Sequence, residues 1–113
     1  DDPDALSLEA VARLDLDDLE GARDLVLELR ELEDFDEDPR ARWAAARLAL
    51  REWQVEEAER LLRGLAREQR EASVLEELAL CADLRGALEE ADALYAEAAR
   101  LDPSVGAPPR LEE

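Results

Sequence analysis

The chain of 113 residues contains no histidine and a single cysteine, Cys81. Histidine is the usual general base at neutral pH and the commonest transition-metal ligand, and one thiol cannot build a zinc site or an internal disulfide. Histidine-dependent hydrolase triads are therefore excluded, and no Gly-rich phosphate loop occurs. We expect no enzyme activity, no metal and no cofactor, and we expect Cys81 to be a small buried hydrophobe rather than a reactive thiol.

Other residue types are also scarce. Only 4% of the residues are aromatic, and all 14 basic residues are Arg, which we interpret as a high-GC bacterial coding bias. No apolar run approaches the roughly 18 residues that a membrane span needs, and no charged-then-apolar leader is present. We expect a soluble, cytoplasmic protein that does not bind membranes. Because the chain begins at Asp1 rather than Met, we expect it to be a fragment or a processed form.

The residues that are abundant favour helices. Apolar residues make up 47% of the chain, and Leu, Ala and the charged residues are strong helix formers. The sequence therefore predicts one all-α domain with a modest core. The apolar period predicts helices over residues 4–14, 18–33, 40–51, 55–69, 72–84 and 88–101.

A short motif recurs along the chain. An acidic stretch followed by Ala, then a large apolar residue four positions on and a small or apolar one seven positions on, occurs around Ala22, Ala58 and Ala91. The first two of these Ala lie 36 residues apart and the last two 33. This period is typical of stacked helix pairs rather than of one long helix or a coiled coil.

Residues 72–103 resemble a tetratricopeptide repeat. The residues that match the family pattern in order are Leu75, Leu78, Ala79, Ala82, Gly86, Ala91, Tyr95, Ala98 and Pro103. Residues 39–70 and 3–36 resemble two further units more weakly, and Trp53 stands where the family prefers Gly. The resemblance implies an α-α superhelix of antiparallel helix pairs over residues 1–103, followed by a Pro-containing linker at 104–113.

The family also implies a function, which is to bind a segment of another protein in a concave groove lined by the first helix of each unit. The groove positions predicted to contact a partner are Arg40, Trp43, Arg47, Arg51, Leu80 and Leu84. The spacing of the first four places them on one helical face, which suits a carboxylate or an acidic, partly apolar peptide. The floor of the whole groove, with Val11 and Leu14 from the first unit, suits an amphipathic helix or a segment of mixed charge.

The alternative role of these basic residues is internal. The arginines of the second unit would then neutralise the neighbouring loop, and Trp43 would pack between repeats. The loop residues in question are Asp34, Asp36, Glu37 and Asp38.

Charge is unevenly distributed along the chain. Residues 1–38 carry −13, residues 39–71 carry +2 and residues 72–113 carry −7, which gives the net charge of −18. Such a field repels nucleic acid and attracts a basic partner. The acidic stretch 34–38 resembles the start of a calcium loop, but Pro39 replaces the required Gly and Ala45 the bidentate Glu, so we interpret the stretch as a solvated linker.

The last predicted helix pair lacks a polar cap. Leu88, Leu94 and Leu101 would therefore need a homodimer partner or an adjoining domain to cover them. This leaves a second functional hypothesis, in which the chain is an accessory, oligomerisation or regulatory segment of a larger enzyme or secretion component. A small enzyme in its own right would need a cofactor-sized pocket, which an Ala-rich repeat core rarely leaves.

Overall fold

A computed structural model describes residues 2–104, which form six α-helices and one 3-10 turn and contain no strand. The all-α class predicted from composition is confirmed. No helix in this range is both long enough and apolar enough to cross a bilayer. The elements, in chain order, are α1 (Pro3–Asp15), α2 (Leu19–Arg30), the 3-10 turn (Phe35–Glu37), α3 (Pro39–Arg51), α4 (Val55–Glu68), α5 (Ala72–Leu84) and α6 (Leu88–Leu101).

Local sequence explains where several helices begin and end. Asp2 and Asp38 each cap a helix whose first residue is a proline, and the Asp38 carboxylate accepts a 3.0 Å hydrogen bond from the backbone N–H of Arg40. Proline suits this first position because its missing N–H would have no partner there. At the other end of the domain, α6 stops at Leu101, and Asp102, which precedes Pro103, is extended with φ −147°.

The three turns within helix pairs share one geometry. Each has a residue in the left-handed region, and these residues are Asp17 at φ 63°, Trp53 at φ 62° and Gly86 at φ 83°. In each turn the following N–H donates to a carbonyl five residues earlier: Asp18 to Arg13 at 2.8 Å, Gln54 to Ala49 at 2.8 Å and Ala87 to Ala82 at 2.9 Å. This is a helix-ending motif in which glycine is favoured. Trp53 adopts it at a conformational cost of about 1–3 kcal/mol.

The helix pairs stack along a particle of 48 × 27 × 24 Å. Helix α3 packs against α1, α2 and α4, whereas α5 packs mainly against α4 and α6. The largest side chains that are fully buried are those of Leu14, Leu29, Leu62, Leu75 and Cys81. Alanines bring α5 and α6 close together, because Ala79, Ala82 and Ala91 are all fully buried beside Tyr95.

The region between α2 and α3 differs from the prediction. Helix α2 ends at Arg30 instead of continuing to residue 33, and residues 35–37 form a 3-10 turn. Phe35 is only 6% exposed, with the Arg30 guanidinium 5.1 Å from its ring centroid. The interpretation of this stretch as a solvated linker was therefore wrong at Phe35, because its ring needs a buried site and the chain must turn to supply one.

Cys81 lies in the core of the third pair and is fully buried. Burial raises the pKa of its thiol to about 11, and the charges of Glu59 and Glu77 add to the effect. The prediction of an inert, buried thiol is consistent with this environment, since the reactive thiolate is scarce at neutral pH.

The uncapped end of the domain is only partly open. Leu88 and Leu101 are 49% and 53% exposed, but Leu94 is half-buried and packs against both core clusters. The expectation that all three lack an internal partner was therefore wrong for Leu94. The predicted linker at 104–113 lies, apart from Ser104, outside the described residues.

Candidate partner-binding surface

The arginines of the predicted groove are bound to α1. Arg40 lies 3.4 Å from the carboxylate of Asp4, and Arg47 lies 3.7 Å from that of Asp15. Arg51 pairs with Asp17 and also donates a 2.8 Å hydrogen bond to the backbone carbonyl of Leu14. Three ion pairs thus join the first helix of the second unit to the first unit.

These pairs correct the internal role that the sequence suggested. That interpretation paired the same arginines with Asp34, Asp36, Glu37 and Asp38, whereas their ion-pair partners belong to α1 and the turn after it. The reason is geometric: α3 packs along α1, which places residues more than 30 positions away closer than the adjacent loop. Asp38 instead caps α3.

Trp43 and Arg40 line a cleft of about 460 Å³ at the end of the second and third pairs. Trp43 is half-buried, and the Arg47 guanidinium lies 5.6 Å from its ring centroid, a cation–π distance. The cleft is bordered by the start of α3, the end of α4 and the start of α5. Its lining residues are Pro39, Arg40, Trp43, Leu65, Glu68, Gln69, Glu71, Ser73 and Val74.

A stripe of α5 extends from this cleft. Ser73 lines the cleft, and Leu80 and Leu84 lie on the same side of the helix, within about 40° of each other at 3.6 residues per turn. Leu80 is 38% exposed and Leu84 43% exposed. The cleft and this stripe together bring Arg40, Trp43, Leu80 and Leu84 onto one side of the junction between the second and third helix pairs, and we call them the α5 groove.

The first unit does not contribute an apolar floor. Ser7 is 3% exposed, Leu14 is fully buried and Val11 is half-buried. The prediction that Leu14 would be presented in the groove is wrong, because α3 packs over this face of α1. The hydroxyl of Ser7 has no hydrogen-bond partner among residues 2–104.

Glu68 lines the cleft and is held there by Arg42, and neither residue was predicted from the sequence. The Arg42 side chain is 7% exposed and binds both carboxylate oxygens of Glu68, at 2.9 and 2.7 Å. This pairing keeps the pKa of Glu68 below its usual value. An Arg among the apolar positions of α3 is a signal that the side chain needs a charged partner. Sequence spacing could not identify that partner, because Glu68 lies 26 positions away.

Acidic residues flank the α5 stripe. Helix α5 contains no basic residue, and Glu76, Glu77 and Asp83 form no ion pair within the described part of the chain. Burial raises the pKa of Glu77, and this is countered by the charge of Arg47 and reinforced by that of Glu76. The groove therefore has an apolar centre and carboxylates on both sides.

The side chains of residues 2–104 include no group of His, Cys, Asp and Glu arranged to hold a metal ion. The arrangement supplies contact surface and charge. Comparison with models of known families, with curated proteins and with solved structures finds no significant match.

Proposed function

We propose that the chain is a protein–protein interaction module that binds a peptide or helix of a partner protein in the α5 groove, without catalysis. The observation that carries this proposal is the cleft of about 460 Å³ beside Trp43, which continues into the exposed stripe of Leu80 and Leu84. A half-buried aromatic beside a cleft is a good anchor site, since interface hot spots favour Trp and Arg in partly enclosed positions.

The proposed architecture is a superhelical array of three tetratricopeptide-like units. Its support is the repetition of one turn geometry, with left-handed residues spaced 36 and 33 apart at Asp17, Trp53 and Gly86. In this arrangement Trp43, Leu80 and Leu84 contact the partner directly, and Arg40 lines the cleft with its charge paired to Asp4. Arg47 and Arg51 shape the groove wall, because their charges are already engaged by α1.

A second candidate is an accessory or oligomerisation segment of a larger protein. The exposed Leu88 and Leu101 on α6 favour it, since an adjoining domain or a second copy would cover them. These residues lie on α6, so contact there leaves the α5 groove available.

Selection of peptides from a random display library tests the groove. Peptides enriched on the wild-type chain are measured against Leu80→Ser/Leu84→Ser and against the matched control Leu27→Ser/Leu101→Ser, which alters two Leu residues that are somewhat more exposed than the groove pair. We expect the groove variant to weaken binding at least about tenfold, because two apolar contacts are lost. The control should bind like wild type.

Circular dichroism first establishes that both variants keep their helices. Loss of binding in the control but not in the groove variant moves the contact to α2 or α6 and favours the accessory role. Failure of the library to yield any peptide that the groove variant loses refutes peptide binding in the α5 groove.

A further inference from the structure

We infer that the segment bound in the α5 groove is a basic amphipathic helix, which lays an apolar stripe on Leu80 and Leu84 and directs Lys or Arg side chains to Glu76, Glu77 and Asp83. The inference rests on the proposed function and adds the sign of the partner's charge. The arginine-rich face of α3 suggests an acidic ligand, whereas the inferred segment is basic.

The cations on the α3 side of the groove are already paired. Arg40, Arg47 and Arg51 are each paired with an aspartate of α1 or its turn. An acidic ligand would have to compete with these carboxylates, which are tethered in the same chain. The basic charges of α3 are therefore poorly available to a partner.

The carboxylates of α5 differ from those of the other helices in their pairing. On α4 and α6 the carboxylates at interfaces are matched: Glu57 pairs with Arg30 at 3.0 Å, Glu90 with Arg63 at 2.8 Å and Glu97 with Arg70 at 2.6 Å. Along α5 this matching stops. Glu76, Glu77 and Asp83 are all half-buried, and no cation of residues 2–104 lies within 4 Å of their carboxylates.

The geometry of α5 places these carboxylates on both flanks of the apolar stripe. At about 100° per residue, Leu80 and Leu84 form the centre of the stripe, Glu76 and Asp83 lie on one flank, and Glu77 lies on the other. Glu76 and Asp83 are seven positions apart, close to two helical turns. A partner helix with an apolar stripe and cations on both edges matches this pattern.

The environment of Glu77 supports the same polarity. Removal from water and the nearby charge of Glu76 disfavour its carboxylate form, and Arg47 only partly offsets them. A cation arriving beside Glu77 stabilises the charged form and recovers interaction energy that the free protein lacks.

The test uses three dye-labelled peptides of about 18 residues, a length at which a helix can form. The first has a Leu stripe flanked by Lys, the second carries Glu in place of every Lys, and the third has the first composition with the stripe scrambled. Dissociation constants are measured by fluorescence anisotropy for the wild type, for Glu76→Gln/Asp83→Asn and for Asp24→Asn/Glu28→Gln. The last variant changes net charge equally on the exposed side of α2.

We expect the Lys peptide to bind best and Glu76→Gln/Asp83→Asn to weaken it roughly fivefold, as the loss of two partly exposed ion pairs implies. The α2 variant should change binding less than about twofold. Preference for the Glu peptide, equal binding of the scrambled peptide, equal weakening in both variants or no binding at all each overturn the inference. If display selection yields acidic peptides that need Leu80 and Leu84, groove binding stands and only the basic polarity fails.

Discussion

The two junctions between helix pairs are built differently. At the first junction α3 packs on both helices of the preceding pair, and three arginines of α3 bind carboxylates of α1 and its turn. At the second junction α5 packs mainly on α4. The ion pairs at this second junction lie on the side of α4 and α6, such as Arg85 with Glu59 at 2.9 Å. No ion pair within residues 2–104 joins α3 to α5.

Equivalent positions therefore acquire different roles. Asp15, Arg51 and Leu84 occupy the same place in successive first helices, 36 and 33 residues apart. Asp15 and Arg51 help to seal the first junction, because each finds an opposite charge across it. Leu84 faces no further helix pair within residues 2–104 and is exposed there. A repeat position specifies where a side chain points, and the neighbouring unit decides whether it is used internally or offered to a partner.

The largest expected effect on stability comes from core residues of the first and third helix pairs. Leu14 and Leu75 are both fully buried, so each Leu→Ala change should cost about 3 kcal/mol of unfolding free energy in urea denaturation. We expect Leu75→Ala to raise hydrogen exchange mainly in α5 and α6, because few lateral contacts tie this pair to α3. An equal rise in α1 would show that the second junction couples the pairs as tightly as the first.

A smaller effect tests the sealing arginines. Arg51→Met removes the hydrogen bond to the Leu14 carbonyl and the pair with Asp17. Because Arg51 is partly exposed, we expect a loss of about 1 kcal/mol of stability. Arg60→Met is the matched control, since Arg60 pairs with Glu57 on its own helix at 64% exposure; it should cost less than about 0.5 kcal/mol. Equal costs would mean that the ion pairs do not distinguish the junctions.

The smallest effect concerns the turns that flank the junctions. Trp53→Gly should stabilise the fold by about 0.5–1 kcal/mol, because glycine adopts the left-handed region without strain. Gly86→Ala should destabilise it by a similar amount, and an added Cβ there meets nothing within 4 Å, so the cost is conformational. Thermal unfolding measures both. A destabilised Trp53→Gly variant would show that the indole ring contributes more contact energy than its 74% exposure suggests.

The sequence predicted the third pair best. Its helices, 72–84 and 88–101, match the structure because Gly86 and Pro103 encode both boundaries locally. The end of α2 was misplaced because burial of Phe35 is a tertiary effect. The same distinction holds in the groove. The exposure of Leu80 and Leu84 follows from helical period, but the partners of Arg42, Arg47 and Arg51 lie 26 to 37 positions away and depend on how helices pack.

The only thiol of the chain lies in α5, the helix that borders the second junction. Cys81 is inaccessible in the folded state, and its raised pKa, about 11, keeps the thiolate rare. An alkylating reagent can therefore reach it only after α5 separates from its neighbours. Because no second cysteine competes, the rate of modification reports how often the third pair opens transiently. A bound partner should lower that rate.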